Sequence, residues 1–128
     1  MKVLDKAFEA MQNAYAPYSK YKVGSCVETK DGKFFIGANV ENASYGLTNC
    51  AERNAIFAAY SNGYRKNQIK CIAIVSRGEK LVTPCGACRQ VLSELLERDT
   101  EIILSNGKDT IITNIEDLMP FAFGADNL

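Results

Sequence analysis

Two segments hold residues whose types and spacing could do chemistry together: Thr48-Asn49-Cys50-Ala51-Glu52-Arg53 and Thr83-Pro84-Cys85-Gly86-Ala87-Cys88-Arg89-Gln90. Each cysteine falls at or just inside the start of a predicted helix, where unpaired N–H groups and the positive dipole end gather. That environment favours thiolate, the species that binds metal. Two such helix starts facing each other would offer three sulfurs to one ion. Three protein ligands on zinc leave the fourth tetrahedral position to water, which is the catalytic arrangement. The chain contains no histidine. Imidazole ligands, Ser–His pairs and Cys–His pairs are therefore excluded, and any general acid or base must be Asp, Glu, Lys, Tyr or Cys. Glu52 is the candidate base. It lies about 200° around an ideal helix from Cys50, so the two could share a metal off the helix end but not one beside the helix.

Three thiolates leave a divalent ion with net negative charge, which is poor at acidifying water. Arg53 and Arg89 lie within one helical turn of Cys50 and Cys88. A guanidinium donating to sulfur would withdraw that charge. Blander readings compete with each of these assignments. Cys85 and Cys88 alone could be a redox pair. A structural zinc site would need a fourth ligand, and Cys26 and Cys71, in apolar strands, read instead as inert core thiols. Asn49 and Glu52 have the spacing of a capping box, and the two arginines could be solvated helix charges.

The elements that must carry these residues follow from periodicity. Residues 5–15 place Ala7, Phe8, Met11 and Tyr15 on one helical face, with Pro17 as the expected stop. Residues 21–29 and 33–40 read as strands joined by an Asp31-Gly32 hairpin turn. Residues 42–49 are polar and read as a loop. Residues 50–60 predict a buried, alanine-rich helix stopped by Asn62-Gly63. Residues 70–76 predict a central strand. Thr83-Pro84 reads as an N-cap with proline at the first helical position, opening a helix with Cys88, Val91, Leu92, Leu95 and Leu96 on one stripe. Residues 101–105 and 109–113 predict two strands around an Asn106-Gly107 turn, and 115–119 a short helix ended by Pro120. This order predicts an α/β fold, a single mixed five-stranded sheet with helices on both faces, in one domain spanning 1–128.

Composition narrows the function classes. The 128 residues carry 15 basic and 15 acidic side chains, which argues against a nucleic-acid binder relying on clustered Lys and Arg. No apolar run approaches the roughly 18 residues of a membrane span. The N-terminal residues lack the apolar stretch of a signal peptide. With five cysteines, an odd number, the expected setting is the reducing cytoplasm rather than a disulfide framework.

More of the chain joins the two cysteine segments in one pattern. Tyr18-Ser19-x-Tyr21-x-Val23-Gly24, Gly37-x-Asn39-Val40-Glu41-Asn42-Ala43-Ser44-Tyr45, Cys50-Ala51-Glu52-Arg53 and Pro84-Cys85-Gly86-Ala87-Cys88-Arg89-Gln90 resemble the small homotetrameric cytidine deaminases from about Tyr15 onward. Tyr21 stands where many family members have phenylalanine. The resemblance implies a cytidine deaminase-like three-layer sandwich holding one zinc per chain on Cys50, Cys85 and Cys88. It implies that Glu52 takes a proton from zinc-bound water, that the resulting hydroxide attacks C4 of the pyrimidine, and that Glu52 passes protons to N3 and to the leaving amine. Asn39 and Glu41 match residues that grip the ribose hydroxyls. Ala51, Tyr21, Tyr45 and Phe123 are expected to contact substrate, the last two across subunit interfaces, and Arg53, Arg89 and Gln90 to support the ligands. The implied function is salvage deamination of cytidine and deoxycytidine in a homotetramer with composite sites, with no nucleic-acid or membrane partner. A deaminase for a cytosine-containing antibiotic such as blasticidin is the rival in the same class. A non-catalytic zinc or redox module is the rival outside it.

Overall fold

The computed structural model describes residues 1–128. The chain forms α1 (Lys2–Met11), β1 (Gly24–Thr29), β2 (Phe34–Ala38), α2 (Ala51–Ser61), β3 (Ile69–Val75), α3 (Gly86–Leu95), β4 (Glu101–Ser105), β5 (Thr110–Thr113) and α4 (Ile115–Leu118). The five strands make one sheet in the order β2-β1-β3-β4-β5. β3 and β4 pair in parallel and the other pairs are antiparallel. The parallel pair needs a crossover, and α3 supplies it.

β3 sits at the centre, with every residue except Lys70 buried, as its β-branched run predicts. Its side chains alternate between two apolar layers. On one face Ile72 and Ile74 join Val27, Ile102 and Leu104 beneath Ala51, Ala55, Ile56 and Ala59 of α2, Leu92 of α3 and Ile115 of α4. On the other, Ala73 and Val75 join Cys26, Cys71 and Ile103 beneath Val3 and Ala7 of α1. Cys26 and Cys71 are thus core thiols, and burial pushes both up to about 12. Each fully buried isoleucine or leucine of these layers contributes roughly 1.5–3 kcal/mol of apolar burial, so the sheet is a rigid base for whatever its strand ends carry.

The predicted turns form where expected. Gly32 and Gly107 have φ of 88° and 90°, backbone that glycine adopts without steric cost. Helix boundaries differ in two places. The first helix runs over 2–11 rather than 5–15, and Pro17 does not end it. The chain turns earlier because Tyr15 is drawn into extended pairing: its N–H donates to Asn39 O and its carbonyl accepts from Glu41 N–H, both at 2.9 Å. The third helix starts at Gly86 with Cys85, not Thr83, at the N-cap. Pro84 stays outside it, and its carbonyl accepts from Arg89 Nε at 2.8 Å. Strand β1 begins at Gly24 rather than at 21. The Asn39 side chain holds residues 21–23 instead, accepting from Val23 N–H at 2.9 Å and donating to Tyr21 O at 2.8 Å.

Gly37 decides how close α2 lies to the sheet. A Cβ there would stand 2.5 Å from both Ala51 O and Ala55 N, so only glycine lets β2 touch the first turns of α2. Asn54 completes the join by donating to Ala38 O at 2.8 Å. The start of α2, with its chemistry-bearing residues, is thereby set against the sheet.

Candidate active site

Cys50 and Cys85 both occupy helix N-caps, with extended backbone and no side-chain cap hydrogen bond. At each position the usual oxygen cap is replaced by a sulfur free to face elsewhere. Cys88 lies in the first turn of α3 and is fully buried. The two helix starts meet, with Cys50 Sγ 3.9 Å from Cys85 Sγ and Cys85 Sγ 3.5 Å from Cys88 Sγ. All three sulfurs lie within 4.8 Å of one another. A tetrahedral ion with metal–sulfur bonds of about 2.3 Å separates its ligands by about 3.8 Å. The triad therefore fits a zinc ion without rearrangement of the helices.

The electrostatics suit a cation. Cys50 is held down to about 5 by its hydrogen bond with Cys88 and by the Arg53 guanidinium. Cys88 is pushed up by sharing that hydrogen with Cys50 and by its burial, so metal binding there releases a proton. Arg53 Nη2 lies 3.5 Å from Cys50 Sγ and 3.4 Å from Thr48 O. Its Nε is buried without an acceptor, beside the same sulfur cluster.

Arg89 behaves differently from Arg53. The structure does not direct it at sulfur: Nε donates to Pro84 O and Nη1 to Leu118 O, at 2.8 and 2.9 Å. Following Cys88 directly on α3, it projects about 100° away from that sulfur. It ties the Cys85 loop to the end of α4. Gln90 donates to Phe123 O at 3.0 Å, holding the C-terminal tail rather than a ligand.

Glu52, in the first turn of α2, is 4% exposed. It makes no capping box, since no side chain caps α2. Burial first, and the Cys50 charge after it, push its carboxyl up to about 7. A carboxyl poised there can both take and give a proton near neutral pH. Glu52 faces a cavity of about 260 Å³ that Cys50, Cys85, Ala51, Asn39, Glu41 and Tyr21 also line. Ser19, Val23, Thr48, Val82 and Thr83 complete the walls. The sequence motifs contain Ser19, Val23, Thr48 and Thr83 without giving them a role in the site, and Val82 lies just before the second cysteine segment.

Asn39 and Glu41 meet at this cavity with most of their polar atoms engaged. Asn39 bridges Val23 and Tyr21 as described above. The Glu41 carboxylate accepts from the Tyr18 and Ser19 N–H groups at 3.0 Å and from the Ser19 hydroxyl, which keeps it below the usual carboxylate range. Tyr45 and Phe123 are not brought into the cavity. Tyr45 is 79% exposed, on a short 3-10 turn beside a neighbouring hollow that shares Ser19, Glu41 and Thr48 with it. Phe123 lies in the tail, half-exposed, against a surface formed by Lys66, Ser93 and Glu97.

Comparison with known proteins agrees with this geometry. The model of the family described as "Cytidine and deoxycytidylate deaminase zinc-binding region" matches residues 1–104. A cytidine deaminase of Halalkalibacterium halodurans is 48% identical over 128 residues, covering 98% of this chain and 95% of its own length. The crystal structure of a cytidine deaminase from Burkholderia pseudomallei superposes with a TM-score of 0.92 at 49% identity, over 95% of this chain and 97% of that one. The cytidine deaminase of Mycobacterium tuberculosis gives a TM-score of 0.81 at 37% identity, over 96% of this chain and 95% of that one. With the family model spanning both cysteine segments and full-length relatives at this identity, the chain belongs to the cytidine and deoxycytidylate deaminase family of zinc-binding proteins.

Proposed function

We propose that the chain catalyses hydrolytic deamination of cytidine and deoxycytidine to the uridine nucleosides and ammonia, in cytoplasmic pyrimidine salvage. The observation that carries this reading is the geometry of the site: a buried Glu52 carboxyl lines a nucleoside-sized cavity beside three convergent thiols. Cys50, Cys85 and Cys88 would hold the zinc. When bound, the ion supplies Lewis acidity, making water a nucleophile at neutral pH. The chain's own residues do the rest. Glu52 is placed to accept a proton from the attacking water and give it to N3 of the pyrimidine, which makes C4 electrophilic so that the water oxygen adds there. It then takes the second proton from the new hydroxyl on C4 and gives it to the amine, so that the C4–N bond breaks, ammonia leaves and C4 becomes a carbonyl. Burial shields the Glu52 carboxyl itself, and Arg53 offsets the thiolate charge at Cys50.

Asn39 and Glu41 at the cavity wall suit the neutral hydroxyls of a sugar. A carboxylate there repels a 5′-phosphate, so nucleosides are favoured over nucleotides. The test is direct: cytidine and deoxycytidine should lose their absorbance band with release of ammonia, while deoxycytidylate and blasticidin are poor substrates. A chain that turns over neither nucleoside refutes the reading.

The single chain leaves this cavity open. Phe121 is fully exposed with φ of 57°, and Phe123 is half-exposed. A bulky residue in left-handed backbone is uncommon and costs energy unless its surroundings hold it. Docking on a neighbouring chain gives both rings a place, which supports a homotetramer with composite sites closed by Phe123 and Tyr45 of adjacent subunits. Mixing Glu52→Gln chains with Phe123→Ala chains should therefore restore activity above the sum of the parents, because a site with intact Glu52 can receive an intact Phe123. Proven subunit exchange without recovery, or a fully active monomer, refutes the shared site.

A further inference from the structure

Tyr21 is the site residue whose hydroxyl group the family resemblance does not account for, and the structure gives that group a partner. Tyr21 Oη donates to Ser76 Oγ at 2.9 Å across 55 residues of chain. Ser76 is fully buried at the end of β3. Its own N–H donates to Ser105 O of β4 at 3.2 Å, so the acceptor belongs to the rigid centre of the sheet. The main chain of Tyr21 is separately fixed, its N–H donating to Ser19 Oγ at 3.0 Å and its carbonyl accepting from Asn39. The ring itself is 45% exposed and borders the cavity. Ser76 is the hydrogen-bond anchor of its side chain.

Beyond Ser76 the chain runs through residues 77–84 to Cys85. This loop supplies Val82 and Thr83 to the lining of the cavity that Tyr21 also borders. Asn106 holds its first half by donating to Gly78 O and Glu79 O at 3.1 and 3.2 Å, and Arg89 holds its last residue before Cys85. The Tyr21 ring approaches the loop at Gly78, where a Cβ would lie 3.8 Å from Cε1. The Tyr21–Ser76 hydrogen bond thus links the Tyr21 side of the cavity to the start of the loop that leads to Cys85.

We propose that Ser76 is a positioning residue for substrate binding: by accepting the Tyr21 hydroxyl it fixes that ring as one wall of the cavity and ties it to the loop that delivers Cys85. This rests on the nucleoside reading given above. Ser76 touches no reacting atom, so its loss falls on substrate affinity rather than on the proton relay. The pair acts as a unit, because removing either oxygen removes the same tie.

The experiment compares Tyr21→Phe, Ser76→Ala and the double variant with the wild type, measuring zinc content, Tm and steady-state kinetics with cytidine. Zinc content should be unchanged. Each single variant should raise KM by roughly two- to tenfold, the range spanned by one hydrogen bond of ordinary net strength, with the change falling on KM rather than kcat. The double variant should have a KM no higher than that of Tyr21→Phe alone, the non-additivity of a coupled pair. Tyr21→Phe strands a buried hydroxyl and should lower Tm more than Ser76→Ala does, since in the latter the half-exposed Tyr21 hydroxyl can turn to water. Ser76→Ala therefore carries the kinetic test even if Tyr21→Phe folds poorly. A lowered Tm with unmoved KM in Ser76→Ala, or effects that simply add in the double variant, overturns the proposal. Wild-type protein that turns over cytidine while these variants match it in KM defeats this inference alone. A wild type inactive on cytidine removes the reading beneath it as well.

Discussion

Replacing Glu52 with glutamine is expected to leave a folded, zinc-loaded protein that has lost essentially all turnover. The substitution is nearly isosteric at a site only 4% exposed, so it opens no cavity. Burial already disfavours the charged carboxylate there, and a neutral amide avoids that cost. Zinc should be retained because the group placed to hold it is the three sulfurs of Cys50, Cys85 and Cys88, not this carboxyl. What the amide lacks is the capacity to exchange a proton. A single general base is worth roughly 100- to 10,000-fold. In the proposed reaction Glu52 serves the water, N3 and the leaving amine in succession, so the expected loss exceeds that range. Steady-state assay of the variant beside its zinc content and Tm is the check. Activity within tenfold of wild type, at full zinc occupancy, would reduce Glu52 to a buried helix residue.

The features legible in the sequence are those set by local rules or by residue chemistry. The Asp31-Gly32 and Asn106-Gly107 turns, the β-branched run of β3 and the alanine-rich α2 follow from propensity and periodicity within short windows. Three cysteines at helix starts, with no histidine in the chain, point to a sulfur site before any fold is known. Less legible were features decided by contacts distant in sequence. The first helix ends at Met11 because Tyr15 pairs with the 39–41 segment, which no reading of residues 5–15 alone contains. Pro84 fits the first turn of a helix equally well on local grounds, but Arg89 claims its carbonyl and Cys85 takes the cap. Arg53 and Arg89 look equivalent beside their cysteines. Helix geometry and the position of α4 separate them, one facing Cys50 and the other Leu118. Ser76 carried no signal at all, being an ordinary residue at a strand end until the fold brings Tyr21 to it.

Removing any one of the three cysteines is expected to abolish zinc binding and activity together, whereas Cys26→Ser and Cys71→Ser should leave the zinc content unchanged. The contrast follows from where the sulfurs lie. Cys50, Cys85 and Cys88 converge at two helix starts, with neighbouring sulfurs 3.5 and 3.9 Å apart. Cys26 and Cys71 are sealed in the layer beneath α1, with thiols that burial keeps protonated up to about 12. They can neither reach the cluster nor supply a ready thiolate. Loss of Cys50 should be the most severe case. It removes the thiolate that Arg53 compensates, leaving the guanidinium partly buried with its nearest sulfur gone and a cation-repelling charge beside the remaining two ligands. Cys88→Ala additionally deletes a fully buried side chain at the base of α3, so it should also lower Tm. Because zinc displaces protons from thiols, its affinity falls as pH falls, and a chelator should strip the wild-type protein faster at mildly acidic than at mildly alkaline pH. Metal analysis of the five variants, with the chelator challenge on the wild type, measures all of this in one series. Stoichiometric zinc in Cys50→Ala would refute the three-sulfur site and favour the structural-zinc or redox reading of Cys85 and Cys88.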